Sequence, residues 1–233
     1  MSDRAAQKLT LLDEETDRLL RTCRELRADD AARATMCEGW DASHLLSHVA
    51  RNAEALSNLV LWAQDGVERE AYESAEQRQA DIEAGAALPW ERIIGDVEET
   101  AARFRELART LTGPAGDAEV RTRTGNVVRG HQVISMRTNE VVFHHVDLDA
   151  GYGLDDSDPA WLARTLGQGA RRWDARADAP SLTLAPEGLE PIPVGGGGPE
   201  VAGTPGQVLL WLARGRDTGL RAQADLPQPP PWA

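Results

Sequence analysis

Cations, cysteines and long apolar runs are all scarce in this sequence. Lysine occurs once, at Lys8, and Lys and Arg together number 25 against 38 Asp and Glu, a formal net charge of -13 over 233 residues. Such an acidic surface repels phosphodiesters and anionic headgroups, so nucleic acid and the membrane surface are excluded and a small-molecule partner is expected. No segment has the ~20 consecutive apolar residues that span a bilayer, and no basic stretch leads into an apolar run near the start. A cytoplasmic protein is expected. The two cysteines, Cys23 and Cys37, fit neither a metal-ligand spacing nor a disulfide framework, and read as free thiols in a reducing compartment. Gly195 to Gly198 lack the lysine and the G-x-G-x-x-G context of a phosphate loop, which leaves a flexible hairpin.

What is abundant is helical periodicity. Four segments carry it, roughly 3–28, 41–64, 89–112 and 131–150. Leu9, Leu12, Leu19, Leu20 and Leu26 mark the buried face of the first, and Leu45, Val49, Leu56 and Val60 that of the second, which Asp41 caps. Ile93, Val97, Phe104, Leu107 and Leu111 follow Pro89 in the third, before Gly113 and Pro114 stop it. Four such helices with polar connections predict a bundle. Past Gly151 the pattern changes: a helical stretch at 159–174 precedes the short alternating runs SLTLAP and PIPV, then Thr204 and Pro205 open another helix, GQVLLWLARG. The fold class is therefore α+β, with a four-helix bundle over residues 1–155, a small α/β domain over 156–233 and an extended Pro-rich tail.

The fourth helix carries a polar line. At about 100° per residue, Val133, Arg137, Glu140, His144 and Asp147 fall in one narrow row flanked by Ile134, Val141 and Leu148 on one side and by Met136 and Phe143 on the other. A polar row between apolar flanks points into the bundle, where unpaired charge is costly. Glu140 and His144 lie one turn apart, about 6 Å along the axis. His145 falls off the row, toward the edge of the helix. From the second helix His48 lies nearer the core than His44, so His48, Glu140 and His144 form a candidate three-ligand metal site with a fourth position open to water or substrate. Spacing alone leaves a second reading, a core histidine bonded to a carboxylate. Arg137 and Asp147 are either supports of that site or an ordinary ion pair. Arg121 and Arg123 read as a solvated turn.

The stretches GWDASHLLSHVARNAEALSNLVLWAQDG, QRQADIEAGA, RTNEVVFHHVDL and VGGGGPEVAGTPGQVLLWLARGR resemble the mycothiol-dependent maleylpyruvate isomerase family over nearly the whole chain. The resemblance implies a DinB-like N-terminal bundle with a small C-terminal α/β domain, and a divalent metal, usually zinc, held by His48, Glu140 and His144. It implies mycothiol as thiol cofactor and conversion of maleylpyruvate to fumarylpyruvate. It also implies a functional arginine just after the W-L element, which reads WLARGR here; Arg216 follows a glycine as the family arginine does, and Arg214 is the alternative. Another mycothiol-dependent transferase, joining the thiol to an electrophile without eliminating it, is the competing reading.

Overall fold

The computed structural model describes residues 2–232, and the chain divides after Ala150 into two compact units. The first holds helices α1 (Ser2–Glu25), α2 (Ala42–Asp65), α3 (Ala75–Ala86) and α4 (Trp90–Ala108), then a hairpin of β1 (Glu119–Arg121) and β2 (Val127–Arg129), then α5 (Gly130–Asp147). Helices α1, α4, α2 and α5 pack in a ring, each against two neighbours. Their inner faces are the leucine, valine and phenylalanine rows of the sequence: Leu12, Leu19, Leu45, Val49, Val97 and Phe104 are all essentially inaccessible to solvent.

Local chemistry fixes where α2 begins and ends. The Asp41 carboxylate accepts the His44 backbone N–H at 3.0 Å, and Gly66, at a φ of +72°, closes the helix with its N–H on the Trp62 carbonyl. This places His48 nearly two turns inside the helix. Helix α3 has no counterpart among the periodic segments, because it buries only Ile82 and so has no apolar stripe to detect. It lies against α2 at close range: Ser47 Oγ donates to the Ile82 carbonyl at 2.8 Å, and a Cβ on Gly85 would stand 2.2 Å from Ser47 Oγ. The VRTRTG segment is a hairpin turn whose Gly125 takes a φ of +82°, with Arg121 and Arg123 exposed on it.

The second unit contains α6 (Pro159–Asp174), β3 (Leu182–Pro186), β4 (Ile192–Val194), β5 (Glu200–Gly203), α7 (Pro205–Arg214) and β6 (Arg221–Ala222). Its sheet runs β4-β3-β5-β6, with β3 and β5 parallel in the register Leu184 to Val201 and the outer strands antiparallel. The glycine run forms the turn between β4 and β5, where Gly195, Gly196 and Gly197 all have positive φ. Thr204 and Gln207 cap α7 reciprocally, at 3.1 Å and 2.9 Å. Asp155 adds its carboxylate to the same helix start through Gly206 N at 2.8 Å, which ties the residues just past Gly151 to this unit. Trp173 and Trp211 meet edge to face where α6 packs on α7. The Pro-rich end has no regular structure but folds back, with Trp232 against Gly169 and beneath the Arg172 guanidinium at 4.4 Å. The overall class is α+β, mostly helical.

Because the four bundle helices bury their apolar faces on one another, a fragment ending at Ala150 is expected to keep its helical circular dichroism and to melt cooperatively. A fragment with coil-like spectra would show that the first unit depends on the second for its stability.

Candidate metal centre

Helices α2 and α5 lie side by side, and the contact between them brings three ligand-type atoms together. His48 Nε2 is 3.1 Å from His144 Nε2 and 3.2 Å from Glu140 Oε2, and the third edge, His144 Nε2 to Glu140 Oε2, is 3.4 Å. A tetrahedral ion with bonds of about 2.0–2.1 Å spaces its ligand atoms about 3.3 Å apart, so this nearly equilateral triangle has the size of one face of a zinc tetrahedron. The His48 side chain is 5% exposed and that of Glu140 35%, so the triangle is buried at its histidine side and open at the carboxylate. That opening is where a fourth ligand would enter.

The surroundings orient the donors. Asp147 Oδ2 lies 2.9 Å from His144 Nδ1, so the ring donates there and turns Nε2 into the triangle, where it can hold a proton or, without it, a metal. Cys37, on the loop before α2, donates its thiol to the same Asp147 oxygen at 3.4 Å. Trp40 packs on the His48 ring with 5.2 Å between centroids. On the other side of His48, Arg78 of α3 brings its guanidinium 3.2 Å from Nδ1. A guanidinium only donates, so in this arrangement His48 carries its proton on Nε2. Metal ligation through Nε2 moves that proton to Nδ1 and requires Arg78 to step back. The remaining chemistry fits: two imidazoles and one carboxylate form a ligand set suited to zinc.

Electrostatics point the same way. Burial pushes His48 down, to about 4, against the pull of Glu140. Burial opposes charge on His144 as well, but Asp147, Cys37 and Glu140 outweigh it and raise that histidine well above 6.5. Burial would likewise raise Glu140, yet hydrogen bonds from His144 and His48 hold it well below the usual carboxylate range. The triangle thus joins a carboxylate, a neutral ring and a ring that attracts a proton; protons and a metal ion compete for the same three atoms.

The structure places the other singled-out residues as follows. Arg137 is 2% exposed and donates to the Val49 carbonyl at 2.9 Å and to Asn52 Oδ1 at 2.8 Å, while Asp147 holds His144; the two do not pair with each other. His44 faces away from the triangle, between Asp41 at 2.7 Å and Glu83 at 3.2 Å. His145, off the row, lies outside the triangle but is buried too, 1% exposed, with Nε2 2.7 Å from Thr22 Oγ1 of α1. Helix α1 packs on α5 and covers that face through Thr22, which the α5 sequence alone does not reveal. In the second unit Gly215, at a φ of +67°, ends α7; Arg214 precedes it with its guanidinium on the Ala213 carbonyl, and Arg216 follows it, exposed. Sequence reasoning missed Cys37, Trp40, Tyr72 and Arg78 around the site. Cys37 and Asp147 are 110 residues apart, and only folding joins them; the one available signal for Arg78 was the QRQADIEAGA resemblance.

Comparison with known proteins gives a consistent picture. Residues 12–149 match the family model described as the mycothiol maleylpyruvate isomerase N-terminal domain. A crystal structure of the mycothiol-dependent maleylpyruvate isomerase aligns with a TM-score of 0.91 at 28% identity, over 98% of this chain and 97% of that one. A structure of that enzyme with one histidine replaced by alanine aligns at 0.90, with the same identity and coverage. The comparison with curated proteins finds no match.

Two outcomes test the triangle. His144→Ala is expected to lose most of the bound divalent metal measured by elemental analysis, whereas His145→Ala keeps it and costs about 1–3 kcal/mol of stability from its buried position; equal metal loss in both would refute the ligand assignment. Since His144 is raised and must shed its proton to ligate, zinc binding to chelator-stripped protein should release a proton below the His144 pKa. Affinity should therefore weaken as pH falls. Calorimetry in buffers of different ionisation enthalpy measures that proton directly.

Proposed function

Because the chain belongs to the mycothiol maleylpyruvate isomerase family, we propose that it isomerises maleylpyruvate to fumarylpyruvate, using mycothiol and a divalent metal such as zinc. The observation that carries the reading is the His48, Glu140, His144 triangle with edges of 3.1, 3.2 and 3.4 Å. Such a site has the donor set and the open side that a catalytic metal needs.

The thiol cofactor would supply a nucleophile for reversible addition to the cis double bond, whose carbon–carbon single bond in the adduct could rotate before elimination restored the alkene and the thiol. His48, Glu140 and His144 would hold the divalent metal, which would supply positive charge that lowers the pKa of a thiol bound beside it. The protein's own groups do the rest. Asp147 fixes the His144 ring and its tautomer, Trp40 covers one side of His48, and the partly exposed Glu140 marks the way in. Arg216 is assigned to a substrate carboxylate and to the enolate charge that develops after addition. Its exposure beyond the Gly215 cap supports that choice over Arg214, which is partly buried against its own helix end.

Purified protein with mycothiol and maleylpyruvate should give the trans product with free thiol conserved. Thiol consumed in step with substrate would instead identify a transferase. Arg216→Ala should lower turnover on the order of a hundredfold with metal content unchanged, as when one transition-state donor is removed. Arg216→Lys should rescue little if the fork of the guanidinium matters. A large loss in Arg214→Ala beside normal turnover in Arg216→Ala would reassign the role to Arg214.

A further inference from the structure

Beside the triangle, on the far side of Arg78, lies a pocket of about 510 Å³. Helix α2 forms its floor, and the segment 66–74 and helix α3 form its walls. Asn58, Glu70, Tyr72, Gln77, Arg78 and Asp81 are among its lining side chains, so most of what it offers a ligand is hydrogen-bonding capacity. It is within the size range of small-molecule sites.

Arg78 connects the pocket to the triangle, since it lines the one and touches His48 of the other at 3.2 Å. Its guanidinium also lies over the Tyr72 ring, 5.6 Å from the centroid.

The charges on the lining select the ligand class. Three arginines (Arg51, Arg69 and Arg78) face four carboxylates (Glu54, Glu70, Glu73 and Asp81). Arg69 already grips Asp65 with both nitrogens at 2.7 Å, and Arg51 is bound to Glu54 and Asp96. A dianionic enedioate would therefore meet net negative charge there, with two of the three guanidiniums already neutralised. A neutral polyol meets no such penalty and can use the amide, carboxylate and hydroxyl groups as donors and acceptors. Mycothiol is such a molecule over most of its length, an N-acetylcysteine carried on a glucosamine joined to inositol.

Resting on the proposed function, we infer that this pocket seats the sugar portion of the thiol cofactor and that Arg78 marks the passage from the pocket to the metal ligands. The arrangement separates the two reactants: the neutral cofactor approaches past α3, and the anionic substrate binds elsewhere.

The test uses zinc-loaded full-length protein and the double variant Gln77→Ala, Asp81→Ala. Both side chains are exposed on α3 and bond to each other at 2.8 Å, and alanine favours the helix, so the fold should persist. Calorimetry with mycothiol, and with N-acetylglucosaminyl-inositol, which keeps the sugars neutral but lacks the cysteine, should show binding of both to the wild type and about tenfold weaker binding to the variant, the loss of one or two hydrogen bonds. Zinc content and the KM for maleylpyruvate should stay the same. Unchanged mycothiol affinity, failure of the thiol-free sugar to bind, or a rise confined to the KM of the enedioate would each overturn the assignment. The two readings fail separately: weakened mycothiol binding in a protein without isomerase activity keeps the pocket and removes the proposed reaction, and full isomerase activity with unchanged cofactor affinity does the reverse.

Discussion

The bundle is organised around charge placed where a helical core would otherwise be apolar. Helix α5 carries Arg137, Glu140, His144 and Asp147 on one row, and each buried ion costs several kcal/mol unless partners replace its water. The partners come from α2 and from the loop that precedes it. Arg137 bonds to the Val49 carbonyl and to Asn52, Glu140 lies against His48, and Asp147 receives the His144 ring and the Cys37 thiol. Burial still leaves a mark on Arg137, lowering it to about 10 even with Glu140 nearby. The register of α2 against α5 is set by these pairings as much as by the aliphatic contacts around them, because a slip of one turn would take Arg137 from Val49 and Asn52 and Glu140 from His48.

That constraint also creates the site. Groups that satisfy one another in the core are the same groups whose three lone-pair atoms converge to within 3.4 Å of one another. Helix α5 donates two of them one turn apart, and α2 donates the third because Asp41 and Gly66 fix the ends of that helix. Helix α3 contributes little to the core, with Ile82 its one buried residue, yet it delivers Arg78 to His48 and walls the neighbouring pocket. An element with a small stake in stability is free to shape access to the chemistry.

The second unit follows a different logic. It buries Trp161, Trp173 and Trp211 between its two helices and a short mixed sheet, and uses caps at Asp155, Thr204 and Gly215 to set the length of α7. Those caps decide where Arg214 and Arg216 emerge. A glycine in the left-handed conformation between them ends the helix, so the first arginine belongs to the helix and the second to the segment beyond it.

Much of this was written in the chain itself. Periodicity located α1, α2, α4 and α5 because each buries one face, and a helix that buries a face must repeat its apolar residues near every 3.6 positions; Thr204 and Pro205 signalled the start of α7. The polar row of α5 and the inward choice of His48 over His44 came from the same geometry, and the structure brings His48, Glu140 and His144 together. Helix α3 was invisible for the opposite reason, since one buried isoleucine makes no pattern. Tertiary structure alone decided what depends on contacts between distant segments: that α1 covers His145 through Thr22, that Cys37 reaches Asp147, and that Arg78 stands against His48. Periodicity reports which side of a helix is buried, but not which neighbour buries it; that identity arises only when separate helices pack.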